Sequence, residues 1–308
     1  MRTLVTVADG FVGRWLVAHL SDSGDEVWQL VGHAADLGDR SATADVRNLG
    51  SVRNALVWAR PEAIYHLAGM AFGPDATRNP STGLSVNVGG TLNVLTAASA
   101  MTPVPIILVA GSAEVYGAPP SAAPVTEDDP VAPTNLYGAS KAAAEVFALT
   151  MHRSGRVRAI TPRAFNHIGP GQRPDFVVSS FASQLAAVAH GTAEPVLRVG
   201  NLDAVRDFTD VRDVVRAYRL LVTGAHTGIP INIASGRGVM IRHILAELLE
   251  ISGMQVEIVV DPARIRANDV PVVIGSHARL TAATGWQPTL DLRHTLEETW
   301  ADALHRAG

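Results

Sequence analysis

Short apolar runs alternate with helical segments through the first half of the chain. Five runs rich in β-branched residues are typical of strands: TLVTV (3–7), EVWQLV (26–31), AIYHLA (63–68), IILVA (106–110) and RAITPRA (158–164). Four segments between them place apolar side chains three and four residues apart, as in amphipathic helices: 13–23, 50–59, 80–100 and 137–153. Strands that alternate with helices indicate βαβ units, so we predict an α/β fold with a doubly wound parallel sheet covered on both faces.

The alternation ends in a loop rich in glycine and proline, FNHIGPGQRPDF (165–176). Helical patterns follow at 179–191, 212–224 and 241–253, and strand candidates at 195–200, 230–234 and 256–260. No repeat or low-complexity linker separates the two halves. We therefore predict a smaller mixed α/β lobe packed onto the first, and such a loop-rich lobe is where substrate specificity is expected.

Composition narrows the classes of function. The 308 residues are 47% hydrophobic and 18% charged with a net charge of -4, which gives no basic field for nucleic acid. The absence of cysteine excludes disulfides, thiolate metal sites and cysteine nucleophiles, and no metal site is predicted. A strand begins almost at residue 1, and the apolar runs are too short for a bilayer. We expect a cytoplasmic protein with neither a membrane nor a nucleic-acid partner.

The first strand leads into VTVADGFVG, a candidate dinucleotide-binding turn. Gly10 and Gly13, with Phe11 and Val12 between them, supply two of the three glycines of a Rossmann-type phosphate turn, and Val7 stands at the third position. Two glycines alone also fit an ordinary strand-helix turn. A valine there must hold an extended backbone or strain the turn, so we predict a locally rebuilt loop and weakened cofactor affinity.

Other strand ends offer further cofactor contacts. Asp45, in TADVRN (43–48), ends a further strand candidate between the runs at 26–31 and 63–68, and a carboxylate there can accept from an adenine amino group. The small residues of HLAG (66–69) suit close approach of a cofactor. The end of the second strand, LVGHAAD, has neither an immediate acid for a ribose 2′-hydroxyl nor an immediate arginine for a 2′-phosphate. The choice between NAD and NADP stays open.

Candidate catalytic residues follow the strand at 106–110. Ser112 and Glu114 lie in GSAEVYG, while Tyr137 and Lys141 lie four apart on one helix face in YGASK. Among 25 basic side chains Lys141 is the lone lysine. A phenol with a pKa near ~10 needs a neighbouring cation to form its anion at neutral pH, and a compact ammonium suits that task and can also reach a ribose.

Five motifs in this order, GFVG, DV (45–46), HLAG, GSAEVYG and YGASK, resemble the extended short-chain dehydrogenase/reductase superfamily of nucleotide-sugar epimerases, dehydratases and reductases. The resemblance implies that Tyr137 is the general acid-base, that Lys141 lowers its pKa and binds the nicotinamide ribose, and that Ser112 holds the reacting oxygen. It implies NAD or NADP contacts from residues at the strand ends and from the helix at 137–153: Gly10, Phe11, Val12, Gly13, Asp45, Val46, Leu67, Ala68, Gly69, Tyr137 and Lys141. Residues 1–165 with about 201–234 would bind the dinucleotide, and about 166–200 with 235–308 would form the nucleotide-sugar lobe.

Segments of the second lobe (163–172, 206–218, 232–236 and 269–288) resemble GDP-6-deoxy-4-keto-mannose reductases, which implies NAD(P)H-dependent reduction of a C4 ketone to give GDP-rhamnose. Asn166 and Arg206 would then meet the diphosphate of the GDP-linked substrate, with Arg266 and Asp269 near the nucleoside. Arg206 and Asp207 fit a local salt bridge as well, and His167 fits either a pocket or a loop hydrogen bond.

Three other functions stay open at this point. Glu114 stands where 4,6-dehydratases carry their base, although Ala113 replaces the aspartate of dTDP-glucose types, so a GDP-mannose-type dehydratase is an alternative. A 4-epimerase is another, and Val7 also fits a non-catalytic relative that senses a cofactor or ligand. The resemblance further implies a homodimer through helices 87–100 and 137–153, in a four-helix contact.

Overall fold

A computed structural model describes residues 1–32, 38–119, 121, 123–265 and 270–308. Its strands are β1 (Arg2–Thr6), β2 (Glu26–Val31), β3 (Ser41–Thr43), β4 (Ala63–His66), β5 (Ile106–Val109), β6 (Arg158–Ala164), β7 (Asn166–Ile168), β8 (Val196–Val199), β9 (Val205–Asp210), β10 (Pro230–Ile233), β11 (Gly238–Met240), β12 (Glu257–Val260) and β13 (Val272–Val273).

The α-helices are α1 (Phe11–Asp22), α2 (Leu49–Ala59), α3 (Gly73–Arg78), α4 (Pro80–Leu84), α5 (Thr91–Ala98), α6 (Leu136–Arg153), α7 (Val177–Ala189), α8 (Val211–Thr223), α9 (Ile241–Ser252), α10 (Ala278–Thr284) and α11 (Leu292–Ala307). A π-helical stretch, Ser85–Gly90, joins α4 to α5, and 3₁₀ turns lie at Ala113–Tyr116 and Pro262–Arg264. No helix in the described ranges is long and apolar enough to cross a membrane.

Seven of the described strands form one parallel sheet in the order β10-β6-β5-β4-β1-β2-β3. The strand order reverses between β1 and β4, because β2 and β3 extend to one side of β1 and the later strands to the other. In such sheets ligands bind in the crevice at the carboxyl ends of the strands beside this reversal. The predicted Rossmann-type doubly wound sheet is confirmed.

Alternate residues of each strand enter two separate cores. Val5, Tyr65 and Leu108 point toward α1 and α8, whereas their chain neighbours Leu4 and Ile64 point toward α2, α5 and α6. This follows from the two-residue period of a strand. With both faces buried, the strands are apolar nearly throughout, and this is why the sequence shows continuous apolar runs.

The second lobe has its own core and sheets. Strands β7, β11 and β13 all pair with β9, and β8 pairs with β12. Helices α7, α9 and α11 enclose a third apolar cluster over these strands. We predict residues 201–234 as part of the dinucleotide-binding region. Within this range β9 pairs in the smaller sheet, whereas β10 pairs in the main sheet and α8 packs against it. The division of the chain between two binding parts stays a prediction.

Candidate active site

The site residues gather where β1, β4, β5 and β6 end. The turn after β1 leads into α1, the HLAG segment follows β4, Ser112 follows β5, and Asn166 and His167 follow β6. Tyr137 and Lys141 lie in the first two turns of α6, which packs against β6 and the 3₁₀ turn at Ala113–Tyr116. Parallel strands bring all these ends to the same edge of the sheet.

The glycine turn is close-packed. A Cβ at Gly13 would lie 2.1 Å from the Val7 carbonyl oxygen, and one at Gly10 would lie 2.9 Å from Val7 Cγ1. Val7 has a φ of 53°, which is unfavourable for a β-branched residue. Of the two conformations considered for Val7, the structure therefore has the strained one. The expected loss of cofactor affinity stays a prediction.

Lys141 is buried between two strand ends. Its ammonium donates to the carbonyl oxygen of Ala110, just after β5, at 2.8 Å. A Cβ at Gly69, just after β4, would lie 3.2 Å from Lys141 Nζ, so the glycine makes this close approach possible. Burial lowers the pKa of Lys141 to about 8. The side chain thus stays largely charged at neutral pH and is held at the crevice.

Tyr137 is equally buried, and its pKa is raised. Burial is the largest cause, the Glu114 charge adds to it, and a hydrogen bond with Ser112 opposes it. Ser112 Oγ accepts the Glu114 N–H at 3.1 Å, so the serine proton is free for the phenol oxygen. Lys141 Nζ lies 6.0 Å from the centre of the Tyr137 ring. Burial dominates at this separation, and the expected lowering of the Tyr137 pKa by Lys141 stays a prediction.

Glu114 is anchored beside Tyr137 by a residue that sequence reasoning missed. Asn135 caps α6 by accepting from the Gly138 N–H at 2.8 Å, and its Nδ2 donates to Glu114 Oε2 at 2.7 Å. A Cβ at Gly138 would lie 2.4 Å from the Glu114 carbonyl oxygen. Asparagine directly before a helical pattern is an N-cap signal and could have been noticed; its bond to Glu114 could not.

A second missed residue, Asn87, lies in the π-helical stretch and is buried. Its Oδ1 accepts from the Met70 N–H at 2.7 Å, and its Nδ2 donates to Ser140 Oγ at 2.8 Å. Ser140 in turn donates to the carbonyl oxygen of Tyr137 at 2.7 Å. Asn87 therefore ties the segment after β4 to the first turn of α6.

Two expected cofactor residues, Asp45 and Val46, have partners of their own. The Arg47 guanidinium donates to both oxygens of Asp45, at 2.9 and 2.7 Å, and holds the pKa of that carboxyl below its usual range. This pair is exposed, so little energy opposes its exchange for another partner. Val46 is buried and would contact a Cβ at Gly90 at 2.8 Å, which gives it a packing role.

Asn166 and Arg206 lie on adjacent strands of the smaller sheet. Asn166 is in register with Phe208, two residues after Arg206, so both side chains lie on one face. The Asp207 carboxylate accepts from the N–H groups of Ser235, Gly236 and Gly275. Arg266 and Asp269 lie outside the described residues.

His167 stacks on Phe11 of the glycine turn, with ring centres 6.1 Å apart and planes 7° apart. Its Nδ1 is hydrogen-bonded to the Phe165 carbonyl oxygen at 3.1 Å. Burial lowers its pKa, so the ring is neutral and Nδ1 carries the proton. Both roles considered for His167, a loop hydrogen bond and a place beside the cleft, are thus compatible.

These residues fit a nicotinamide dinucleotide. The turn from Val7 to Gly13 leaves no room for side chains at its glycines, and Lys141 presents an ammonium between two strand ends. Such a turn suits a pyrophosphate, and such a cation suits a ribose. No cluster of three His, Asp or Glu side chains that could hold a metal ion is found in the part of the chain that the structure describes.

Comparison with known proteins identifies the family. A family model described as GDP-mannose 4,6 dehydratase matches residues 4–299. The chain belongs to this family. The predicted membership of the extended short-chain dehydrogenase/reductases, with their NAD(P)-dependent nucleotide-sugar chemistry, is thereby confirmed.

Individual relatives match this chain over nearly its full length. GDP-6-deoxy-D-mannose reductase of Pseudomonas aeruginosa is 38% identical over 305 residues, covering 98% of this chain and 96% of the relative. The structure of RMD from Pseudomonas aeruginosa complexed with NADPH has a TM-score of 0.88 at 35% identity, covering 99% of this chain and 100% of that one. UDP-glucose 4-epimerase of Thermus thermophilus, solved with NAD, has a TM-score of 0.86 at 28% identity, covering 98% and 99%. The predicted NAD or NADP cofactor is confirmed by these relatives.

Proposed function

We propose that this protein reduces the C4 ketone of a nucleotide-linked 4-keto-6-deoxy sugar, with GDP-4-keto-6-deoxymannose as substrate and GDP-rhamnose as product. The observation that carries the proposal is the buried Tyr137 phenol, whose raised pKa the Ser112 hydroxyl opposes and whose ring centre lies 6.0 Å from Lys141 Nζ. GDP as the nucleotide is supported by the Pseudomonas reductase, 38% identical to this chain.

The arrangement suits a proton donor to a developing alkoxide. Bound NAD(P)H would supply the hydride to the sugar C4 carbon. The raised pKa keeps the Tyr137 phenol protonated, so it has a proton to give to the C4 oxygen. Ser112 holds that oxygen through its own hydroxyl. Lys141, fixed by the Ala110 carbonyl, then stabilises the phenolate that remains.

Asn166 and Arg206 are proposed as the diphosphate-binding residues. They lie on one face of the smaller sheet, and Asn166 comes two residues after the carboxyl end of β6. An arginine fork matches two phosphate oxygens, and a neighbouring amide adds a donor. Arg266 and Asp269 stay a sequence-based proposal for the nucleoside.

The decisive variant is Tyr137→Phe, which removes the proton and keeps the ring. NADPH or NADH oxidation with GDP-4-keto-6-deoxymannose should fall on the order of 10²- to 10⁴-fold, while GDP affinity by calorimetry stays unchanged. Tyr65→Phe is the matched control, because the buried Tyr65 hydroxyl has no hydrogen-bond partner among the described residues. Full activity in Tyr137→Phe would contradict the proposed role.

A GDP-mannose-type 4,6-dehydratase is the second candidate, favoured by the Glu114 carboxylate beside Tyr137. Such an enzyme recycles its hydride and needs no added reductant. Incubation of GDP-mannose with oxidised cofactor alone separates the two. Formation of a keto-sugar there, without reductant consumption on keto-sugars, would favour the dehydratase.

We also propose a homodimer through α5 and α6. Leu136, Val146 and Phe147 of α6 are exposed on its outer side, and Leu92 is exposed on α5. Apolar stripes on neighbouring helices suit a four-helix contact. In sedimentation equilibrium Val146→Glu should dissociate the dimer, whereas Val57→Glu on α2, also at an exposed valine, should not. A monomeric parent protein would refute this proposal.

A cytoplasmic location is proposed on the absence of cysteine alone.

A further inference from the structure

Asp9 lies in the glycine turn directly before Gly10, and its carboxylate reaches the chain beyond the neighbouring strand β2. The Gly32 N–H, one residue past β2, lies 3.4 Å from Oδ1 and 3.3 Å from Oδ2 of Asp9. The turn runs alongside this strand, since the Ala8 N–H donates to the Leu30 carbonyl oxygen at 3.0 Å. The sequence has no acid immediately after β2, but the fold places one there from the turn after β1.

In doubly wound folds the residues at the end of the second strand determine the preference for NAD or NADP. An acid at the end of the second strand accepts a hydrogen bond from the adenosine ribose 2′-hydroxyl, and an arginine there accommodates the 2′-phosphate. We propose that Asp9 takes the place of that acid, so that the site selects NAD(H) over NADP(H). This inference rests on the proposed function, in which NAD(P)H would supply the hydride.

The Asp9 carboxylate has capacity left for a ligand. It is exposed, and its contacts to Gly32 are longer than the usual ~2.9–3.0 Å of an N–H···O bond. A carboxylate has about four lone-pair sites, so a ribose hydroxyl can be added without displacing the backbone. A 2′-phosphate, which carries only acceptors, would instead meet a like charge.

Arg47, which follows β3, is already paired with a carboxylate. Its guanidinium makes three hydrogen bonds to Asp45, but this pair is exposed and contributes little energy. Discrimination against a 2′-phosphate therefore rests on the like charge of Asp9. This repulsion favours the dinucleotide without the phosphate.

The test is calorimetric titration of the full chain with NADH and with NADPH, without sugar substrate. NADH should bind on the order of 10- to 100-fold more tightly, the scale of a hydrogen bond to a charged group. Asp9→Asn keeps the shape and removes the charge, so the ratio should fall about 10-fold or more, mainly by tighter NADPH binding. Asp22→Asn removes the same charge at the exposed end of α1 and should leave the ratio unchanged.

The outcomes separate this inference from the proposed function. NADPH binding as tight as NADH in the parent protein, or equal ratio changes in Asp9→Asn and Asp22→Asn, would overturn it. If NADPH is preferred and its oxidation still requires Tyr137, only this inference fails. Binding of neither dinucleotide would overturn the proposed function and this inference together. The relative from Pseudomonas was solved with NADPH, so the preference would separate the two proteins.

Discussion

Acidification to pH 4 should destabilise this protein through one histidine, His66 at the end of β4. Thr6 Oγ1 accepts two backbone N–H bonds, from Leu67 at 3.0 Å and Ala68 at 2.9 Å. Its single proton therefore goes to His66 Nδ1 at 3.2 Å, and the opposite ring nitrogen donates to Thr91 Oγ1 at 3.1 Å. The ring has a defined neutral tautomer, and a second proton on Nδ1 would break the bond to Thr6.

The magnitude follows from linkage. Burial, assisted by the Lys141 charge, lowers the pKa of His66 from 6.5 to about 3. Because the folded pKa is depressed, the unfolded chain binds a proton first, and stability present above pH 6.5 is lost as the pH falls toward 3. At 1.36 kcal/mol per pH unit, this single group removes about 3 kcal/mol between pH 7 and pH 4. Such a loss is a large part of the free energy of unfolding of a typical protein, which is ~5–15 kcal/mol.

Urea unfolding followed by circular dichroism at several pH values between 4 and 7 measures this loss. His66→Gln can keep the donor to Thr91 but cannot titrate, so at pH 7 it should be less stable by about 1–3 kcal/mol because Thr6 loses its acceptor. At pH 4 the free energy of unfolding of His66→Gln relative to that of the parent protein should be about 3 kcal/mol more favourable than at pH 7. His294→Gln on α11, where the ring is 53% exposed, is the control and should follow the parent protein. Parallel pH curves for His66→Gln and the parent protein would refute the reasoning.

Two further predictions concern the turns at the site. Val7→Gly should relieve about 1–2 kcal/mol of backbone strain, partly offset by about 0.5–1 kcal/mol for the greater conformational entropy that glycine loses on folding. The substitution should also tighten cofactor binding, and an unchanged Kd by calorimetry would contradict this expected effect. Gly138→Ala places a Cβ only 2.4 Å from the Glu114 carbonyl oxygen, so α6 must shift. Stability should fall by about 1–3 kcal/mol, and kcat should fall because Tyr137 moves. Gly89→Ala, whose nearest neighbour atom lies at 4.0 Å, should be tolerated, and equal melting temperatures and kcat in both variants would refute the steric argument.

Local pattern predicted the helix and the strand end that carry the candidate catalytic residues, because these features depend on short sequence separations. Tyr137 and Lys141 are four residues apart on a helix, and Ser112 follows a strand with a clear apolar run. The strand at 158–164 matches β6 at both ends. Periodicities of two and 3.6 residues are properties of the backbone itself, so they can be read without knowledge of the fold.

The second lobe was harder to predict for a physical reason. β9 contains Arg206, Asp207 and Asp210, which do not form an apolar strand pattern, and β7, β11 and β13 have two or three residues each. These strands are stabilised by specific pairing and by the buried Asp207 carboxylate, which accepts several backbone N–H bonds. Helices α10 and α11 were outside the predicted helices. Their burial depends on α7, α8 and α9.

The sequence alone determined the fold class, the order of the strands along the chain and the residue types available for catalysis. Tertiary structure decided which residues come into contact: Asp9 with Gly32, Glu114 with Asn135, and His66 with Thr6 and Thr91. Tertiary structure also decided that the pKa of Tyr137 is raised rather than lowered. The reason is that burial and charge act between groups far apart in the chain, and their distances are set only when strands pair and helices pack.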